Sequence, residues 1–211
     1  MKEKRQQSEP ILVHAYQNTD EANGHLPRIM ALTGFMGSSK TSVGRTLATM
    51  LGCAFLDLDK EIEKAAGKSI PCIFREDGEK AFRKLEISTL QKILKSGGRE
   101  ISSEGGENRG SGEGSWDLVL SLGGGTVLKS KARALLEGRC TIIYLKASPE
   151  TLLSHLSEET EGRPLLAGHD LSIRIGTLLP KRDAIYSKVA DIIVDTDGKS
   201  IKETAEYIIG L

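Results

Sequence analysis

Net charge, a disulfide-forming cysteine set and long apolar runs are all missing from this 211-residue chain, and each absence narrows what it does. Lys plus Arg and Asp plus Glu both number 29, so there is no general electrostatic pull toward nucleic acid or an acidic membrane. Binding must come from local sites. The three cysteines, Cys53, Cys72 and Cys140, are odd in number, far apart and set among apolar residues. That fits reduced core thiols in a reducing compartment better than a disulfide framework or a metal cluster. No apolar run approaches the roughly 20 residues of a membrane span. Residues 1–28 lack both an apolar signal core and the acid-poor character of a transit peptide, so a cytoplasmic location is the default expectation. Outside residues 96–116 no internal repeat or low-complexity array is present.

What is there has the rhythm of an α/β domain. The length suits one well-buried domain. Residues 1–28 form a polar tail around the short patch Ile11–Tyr16 and are expected to be poorly ordered. From Arg28 onward short apolar runs alternate with helical patterns, the arrangement of parallel strands joined by crossover helices. Strands are expected at 29–33, 54–57, 118–122, 141–145 and 192–195. Helices are expected at about 40–50, 79–95, 129–137, 149–156, 171–188 and 200–209. The fold class is a three-layer, doubly wound α/β sandwich with a five-stranded parallel sheet. Residues 96–116, rich in Gly, Ser and Glu, interrupt the pattern and are expected to be a flexible insertion.

The richest stretch is Gly34-Phe-Met-Gly-Ser-Ser-Lys-Thr41, where an apolar strand runs into a turn that opens a helix. Backbone N–H groups of such a turn converge on an anion, and the helix adds its positive end. Lys40 supplies a mobile ammonium and Thr41 a hydroxyl for Mg²⁺. Phe55-Leu-Asp-Leu-Asp59 then ends the second strand with two carboxylates. The C-terminal strand ends of a parallel sheet form the ligand crevice, so Asp57 and Asp59 belong beside the phosphate loop. The alternative, that Asp59 only caps the next helix, would be preferred for an isolated aspartate. Glu79, Arg83 and Glu86 share one helical face, which taken alone reads as a surface ion-pair ladder. Ser121-Leu-Gly-Gly-Gly-Thr126 ends the third strand with three glycines, which let the main chain approach a ligand closely. Gly162-Arg-Pro-Leu-Leu166 lies in a polar segment, and Arg182 with Tyr186 on a later helix.

In both content and order these elements resemble the shikimate kinase family over roughly residues 29–209. That resemblance implies transfer of the ATP γ-phosphoryl group to a ring hydroxyl of shikimate, giving shikimate 3-phosphate in aromatic amino-acid (chorismate) biosynthesis. It implies a P-loop kinase fold, ATP and Mg²⁺, no nucleic-acid or membrane partner, and a monomer by default. Gly37, Ser38, Ser39, Lys40, Thr41 and Ser42 would hold the ATP phosphates, and Thr41 and Asp57 the metal. Asp59 would bind the accepting hydroxyl and take its proton. Arg83 and Arg182 would pair with the shikimate carboxylate, a task suited to the guanidinium fork. Gly123, Gly124 and Gly125 would contact ring hydroxyls. Arg163, in a lid at about 158–170, would act on the γ-phosphate with Lys40, and Lys199 would lie near the nucleotide.

The chain departs from the family pattern at Ser39, where the loop motif asks for glycine. A left-handed serine costs roughly 1 to 2 kcal/mol. Two other readings share the same residues: a shikimate-kinase-like binding protein disabled at Ser39, and a related kinase with another small acceptor. On the helix before the lid, where the family usually has an arginine near the adenine, this chain has only His155 or Leu156.

Overall fold

The computed structural model describes residues 28–97, 116–159 and 171–211. Five parallel strands form one sheet in the order β2-β3-β1-β4-β5: β1 Ile29–Thr33, β2 Ala54–Asp57, β3 Leu118–Ser121, β4 Cys140–Lys146 and β5 Ile192–Asp195. The expected strands stand, with shifts of a residue or so at the ends of the third and fourth. Among the described residues eight α-helices accompany them: α1 Lys40–Leu51, α2 Leu58–Ala66, α3 Ile70–Glu76, α4 Gly78–Ser96, α5 Ser130–Leu136, α6 Pro149–Glu159, α7 Leu171–Val189 and α8 Ile201–Ile209. The tail, most of the insertion and the lid, with Arg163, lie outside the described residues.

Strand periodicity splits the core into two layers. Along β1, Ile29 and Ala31 face α2 to α7, whereas Met30 and Leu32 face α1 and α8. Val119 of β3 and Ile143 and Leu145 of β4 join the second layer, and their alternate neighbours Leu118, Leu120, Ile142 and Tyr144 the first. Each fully buried Leu or Ile contributes about 1.5 to 3 kcal/mol of transfer free energy. A strand buried on both faces reads as continuously apolar, which is why these runs stood out.

The register places the functional ends of the strands together. Leu32 and Asp57 both pair with Ser121, so the chain leaves β1, β2 and β3 at nearly one level. From there β1 feeds α1 on one face of the sheet, while β3 leads to α5 on the other. Adjacent strands whose connections diverge leave a crevice between them, the place where such sheets bind ligands.

Two helices lie outside the expected ranges: α2, implied only as the helix that Asp59 could cap, and α3, which was not foreseen. Helix α3 carries Pro71 in its first turn, where proline's missing N–H costs nothing. Asp77 both ends α3 and begins α4, so a single residue separates the short helix from the long one.

Candidate functional site

The phosphate loop spans Gly34 to Ser39, and its inner contacts converge on one carbonyl. The Phe35 oxygen accepts from Ser38 N at 3.2 Å, from Ser38 Oγ at 2.8 Å and from Lys40 Nζ at 2.8 Å. Lys40 also reaches Ser38 Oγ at 3.4 Å. Its ammonium is thereby parked over the loop, while Ser42 lies exposed on the first turn of α1. Ser39 precedes α1 in the left-handed conformation, φ 56° and ψ 23°, and its side chain makes no capping hydrogen bond. Among the described residues it is the sole non-glycine with positive φ. The loop thus keeps a glycine's geometry with a serine in place, at a cost of roughly 1 to 2 kcal/mol.

Asp57 joins two parts of the site. Its Oδ2 accepts from Thr41 Oγ1 at 2.7 Å, and its Oδ1 from the Asp59 and Lys60 N–H groups at 3.1 and 3.4 Å. The cap of α2 is therefore Asp57, and Asp59, which the sequence also allowed as a cap, lies in the first helical turn instead. Burial is the main reason the Asp59 carboxyl is pushed up to about 6, with Asp57, Glu86 and Glu63 adding repulsion and Lys40 opposing them. Removal from water and neighbouring like charge both disfavour an ionised carboxylate.

The three glycines after β3 face three different components. A side chain at Gly123 would come within 2.7 Å of Asp59 Oδ1. At Gly124 it would meet the Gly34 carbonyl at 3.4 Å and the Met36 N–H at 3.6 Å, and at Gly125 the Arg83 guanidinium at 3.4 Å. One short turn therefore borders the carboxylate, the phosphate loop and the arginine.

Helix α4 brings Arg83 to this turn through a buried carboxylate. Glu86 accepts from Arg83 Nη1 at 2.8 Å through one oxygen and from Thr126 Oγ1 at 2.8 Å through the other. Its side chain is only 2% exposed and that of Arg83 27%, so the surface-ladder reading fails for this half of the trio. Glu79 keeps the exposed half, 3.3 Å from Arg83 Nε. Spacing alone could not separate these cases, because a helical stripe looks the same whether it faces water or another strand's turn.

Helix α7 supplies the opposite wall. Arg182 Cζ lies 5.3 Å from the centre of the Phe35 ring. Tyr186 donates to the Gly124 carbonyl at 2.5 Å. Burial raises its phenol, and the neighbouring Arg182 guanidinium partly opposes that shift. The glycine turn is thus held from α4 through Thr126 and from α7 through Gly124. Lys199, on the β5–α8 loop, donates to the Asp195 carbonyl at 2.9 Å and is tied to its own loop.

The family model for shikimate kinase matches residues 36–109 and 111–211. The chain belongs to the shikimate kinase family. A shikimate kinase of Chlorobaculum tepidum is 43% identical over 188 residues, which cover 85% of this chain and 87% of the relative. One from Thermus thermophilus is 41% identical over 180 residues, covering 85% and 87% respectively. The solved structure of the shikimate kinase from Acinetobacter baumannii in complex with shikimate superposes with a TM-score of 0.69 at 32% identity, covering 95% of each chain. That from Aquifex aeolicus gives a TM-score of 0.61 at 32% identity, covering 86% of this chain and 93% of the other. The expected fold and family are both borne out, and membership makes the chain an ATP-dependent kinase. Cys53 and Cys140 fit the core-thiol expectation: both are free, and burial pushes their thiols up to about 11 and about 12. No helix among the described residues is long and apolar enough to cross a membrane.

Proposed function

We propose that this chain transfers the γ-phosphoryl group of ATP to a ring hydroxyl of shikimate. The observation that carries the reading is the glycine turn, which adjoins the phosphate loop at Gly124, Asp59 at Gly123 and Arg83 at Gly125. A donor site and an acceptor site that share one turn suit a direct transfer between two bound substrates. The acceptor's chemistry follows from the charges around it: a carboxylate for the guanidinium groups and a hydroxyl for Asp59.

The loop N–H groups and Lys40 hold the ATP phosphates and offset their charge. Arg83, fixed by Glu86, and Arg182, over Phe35, anchor the shikimate carboxylate and so aim the ring. Asp59 accepts a hydrogen bond from the attacking hydroxyl and takes its proton as the new P–O bond forms and the bond from the γ-phosphorus to the β–γ bridging oxygen breaks, with ADP leaving. Phosphoryl transfer has a loose transition state, so alignment and charge neutralisation outweigh strong base catalysis. Arg163 is assigned to the γ-phosphate on the family resemblance alone.

Mg²⁺ fits the donors present. Thr41 Oγ1 and Asp57 Oδ2 are hard oxygens 2.7 Å apart, and this ion usually takes one or two protein oxygens and completes its shell with water and phosphate. When bound, it neutralises charge on the β- and γ-phosphates. Thr41 would ligate it directly and Asp57 would support it through water.

The test is ATP consumption by the purified chain with shikimate and with a panel of other small hydroxyl acceptors, such as gluconate and nucleoside monophosphates. Turnover with shikimate alone is the expected result. Turnover with another acceptor and none with shikimate would overturn the assignment.

A further inference from the structure

The phosphate loop has an external support that its own motif does not contain. His155 of α6 lies 2.8 Å from the Gly37 carbonyl through Nδ1, across 118 residues of sequence. A carbonyl oxygen only accepts, so Nδ1 carries the proton in this contact. Around that bond α6 is seated directly on the loop. Gly37 has φ 80°, and a side chain there would meet Leu156 Cγ at 2.9 Å and the Leu152 carbonyl at 3.4 Å. Leu152 and Leu156 are themselves buried. The start of the helix is pinned as well, because the Ser148 N–H donates to the Asp197 carboxylate at 3.0 and 3.2 Å. His155 is thus a fixed post rather than a swinging side chain.

We propose that His155 is a positioning residue of the phosphate loop, whose hold on the Gly37 carbonyl offsets the backbone strain carried by Ser39. Gly37 oxygen and Ser38 N–H belong to one peptide unit. With the oxygen on His155, the N–H stays on the Phe35 carbonyl at 3.2 Å. If that unit rotated, a carbonyl dipole would turn into the space meant for phosphate oxygens and repel them. Ser39, two residues on, has a standing reason to drive such a rotation, because a left-handed serine relaxes when its neighbouring peptides turn. Glycine at position 39 would carry no such strain and would need the post less. The inference rests on the loop being the nucleotide site.

The experiment measures ADP affinity by titration calorimetry on the full chain, together with KM values for ATP and shikimate. Variants are His155→Leu, His155→Asn and His155→Gln, each with Ser39 and with Ser39→Gly. His155→Leu is expected to weaken ADP binding about tenfold and to raise KM for ATP by a similar factor, with KM for shikimate held within about twofold. His155→Asn, whose amide N–H replaces Nδ1–H, should stay within about threefold of the unaltered chain. In the Ser39→Gly background the His155→Leu penalty should shrink to about threefold or less. Should the leucine variant not fold, His155→Gln, whose amide has the wrong reach, is compared with His155→Asn in its place. Equal losses for the leucine or glutamine variant and asparagine, or the same penalty in both backgrounds, would overturn the proposal. Binding of ADP that ignores His155 would overturn the post alone, whereas no ADP binding by the unaltered chain would overturn the nucleotide site and the post with it.

Discussion

Glu86, buried on α4, accepts a hydrogen bond from Arg83 at 2.8 Å, and its second oxygen holds Thr126 at the end of the glycine turn. One carboxylate therefore fixes both the arginine assigned to the substrate and the turn beside it. Removing that carboxylate leaves the Thr126 hydroxyl without its acceptor and Arg83 with only the exposed Glu79. Glu86→Ala is expected to cost about 2 to 4 kcal/mol in urea unfolding. Glu86→Gln keeps the size and the acceptor for Thr126, so it should fold nearly normally yet raise KM for shikimate by about three- to tenfold as Arg83 loses its anchor.

Arg83→Ala and Arg182→Ala should each raise KM for shikimate by about tenfold or more and leave KM for ATP within about threefold. Arg→Lys at either position should recover little, because an ammonium cannot make two parallel hydrogen bonds to a carboxylate. Steady-state kinetics with each substrate varied in turn checks this. Equal effects on both substrates would remove the guanidinium groups from the acceptor site.

Asp59 is buried among Asp57, Glu86 and Glu63, so its charge strains the metal-free fold. Asp59→Asn is expected to raise the thermal midpoint in EDTA by a few degrees, on the order of 1 kcal/mol, while lowering kcat by at least about a hundredfold. Gly123→Ala tests the same residue from the other side, since the added methyl would sit 2.7 Å from Asp59 Oδ1. Its kcat should fall more than that of Gly125→Ala, whose methyl meets a guanidinium at 3.4 Å.

Thr41→Ala should raise the Mg²⁺ concentration needed for half-maximal activity by about tenfold, with Thr41→Ser close to the unaltered chain. Titration of activity with MgCl₂ at saturating ATP is the measurement. An alanine variant with an unchanged Mg²⁺ requirement would remove Thr41 from the metal.

The parts of this site that were legible in the sequence are those whose chemistry is local. The phosphate loop, the Asp57 and Asp59 pair and the triple glycine each sit at a strand end, and a strand end in a parallel sheet already states where it points. Ser39 was legible too, because a missing glycine predicts a backbone conformation, and the left-handed φ is what the loop shows. The links between elements were not. Thr126 to Glu86 and His155 to Gly37 join residues 40 and 118 positions apart, and no spacing rule speaks across such distances. Helix α3 escaped because its seven residues run directly into α4 at Asp77. Asp57 as the cap of α2 was hidden by its neighbour Asp59, which is equally good by residue type.

The central claim is tested most directly by coupling ADP production to shikimate phosphorylation, with the unaltered chain and Ser39→Gly measured side by side in Mg²⁺. Turnover by both, with the glycine variant showing a KM for ATP lower by up to about tenfold, is the predicted result. Turnover by the glycine variant alone would contradict an active kinase and leave a binding protein disabled at one residue; silence from both would contradict shikimate as the acceptor.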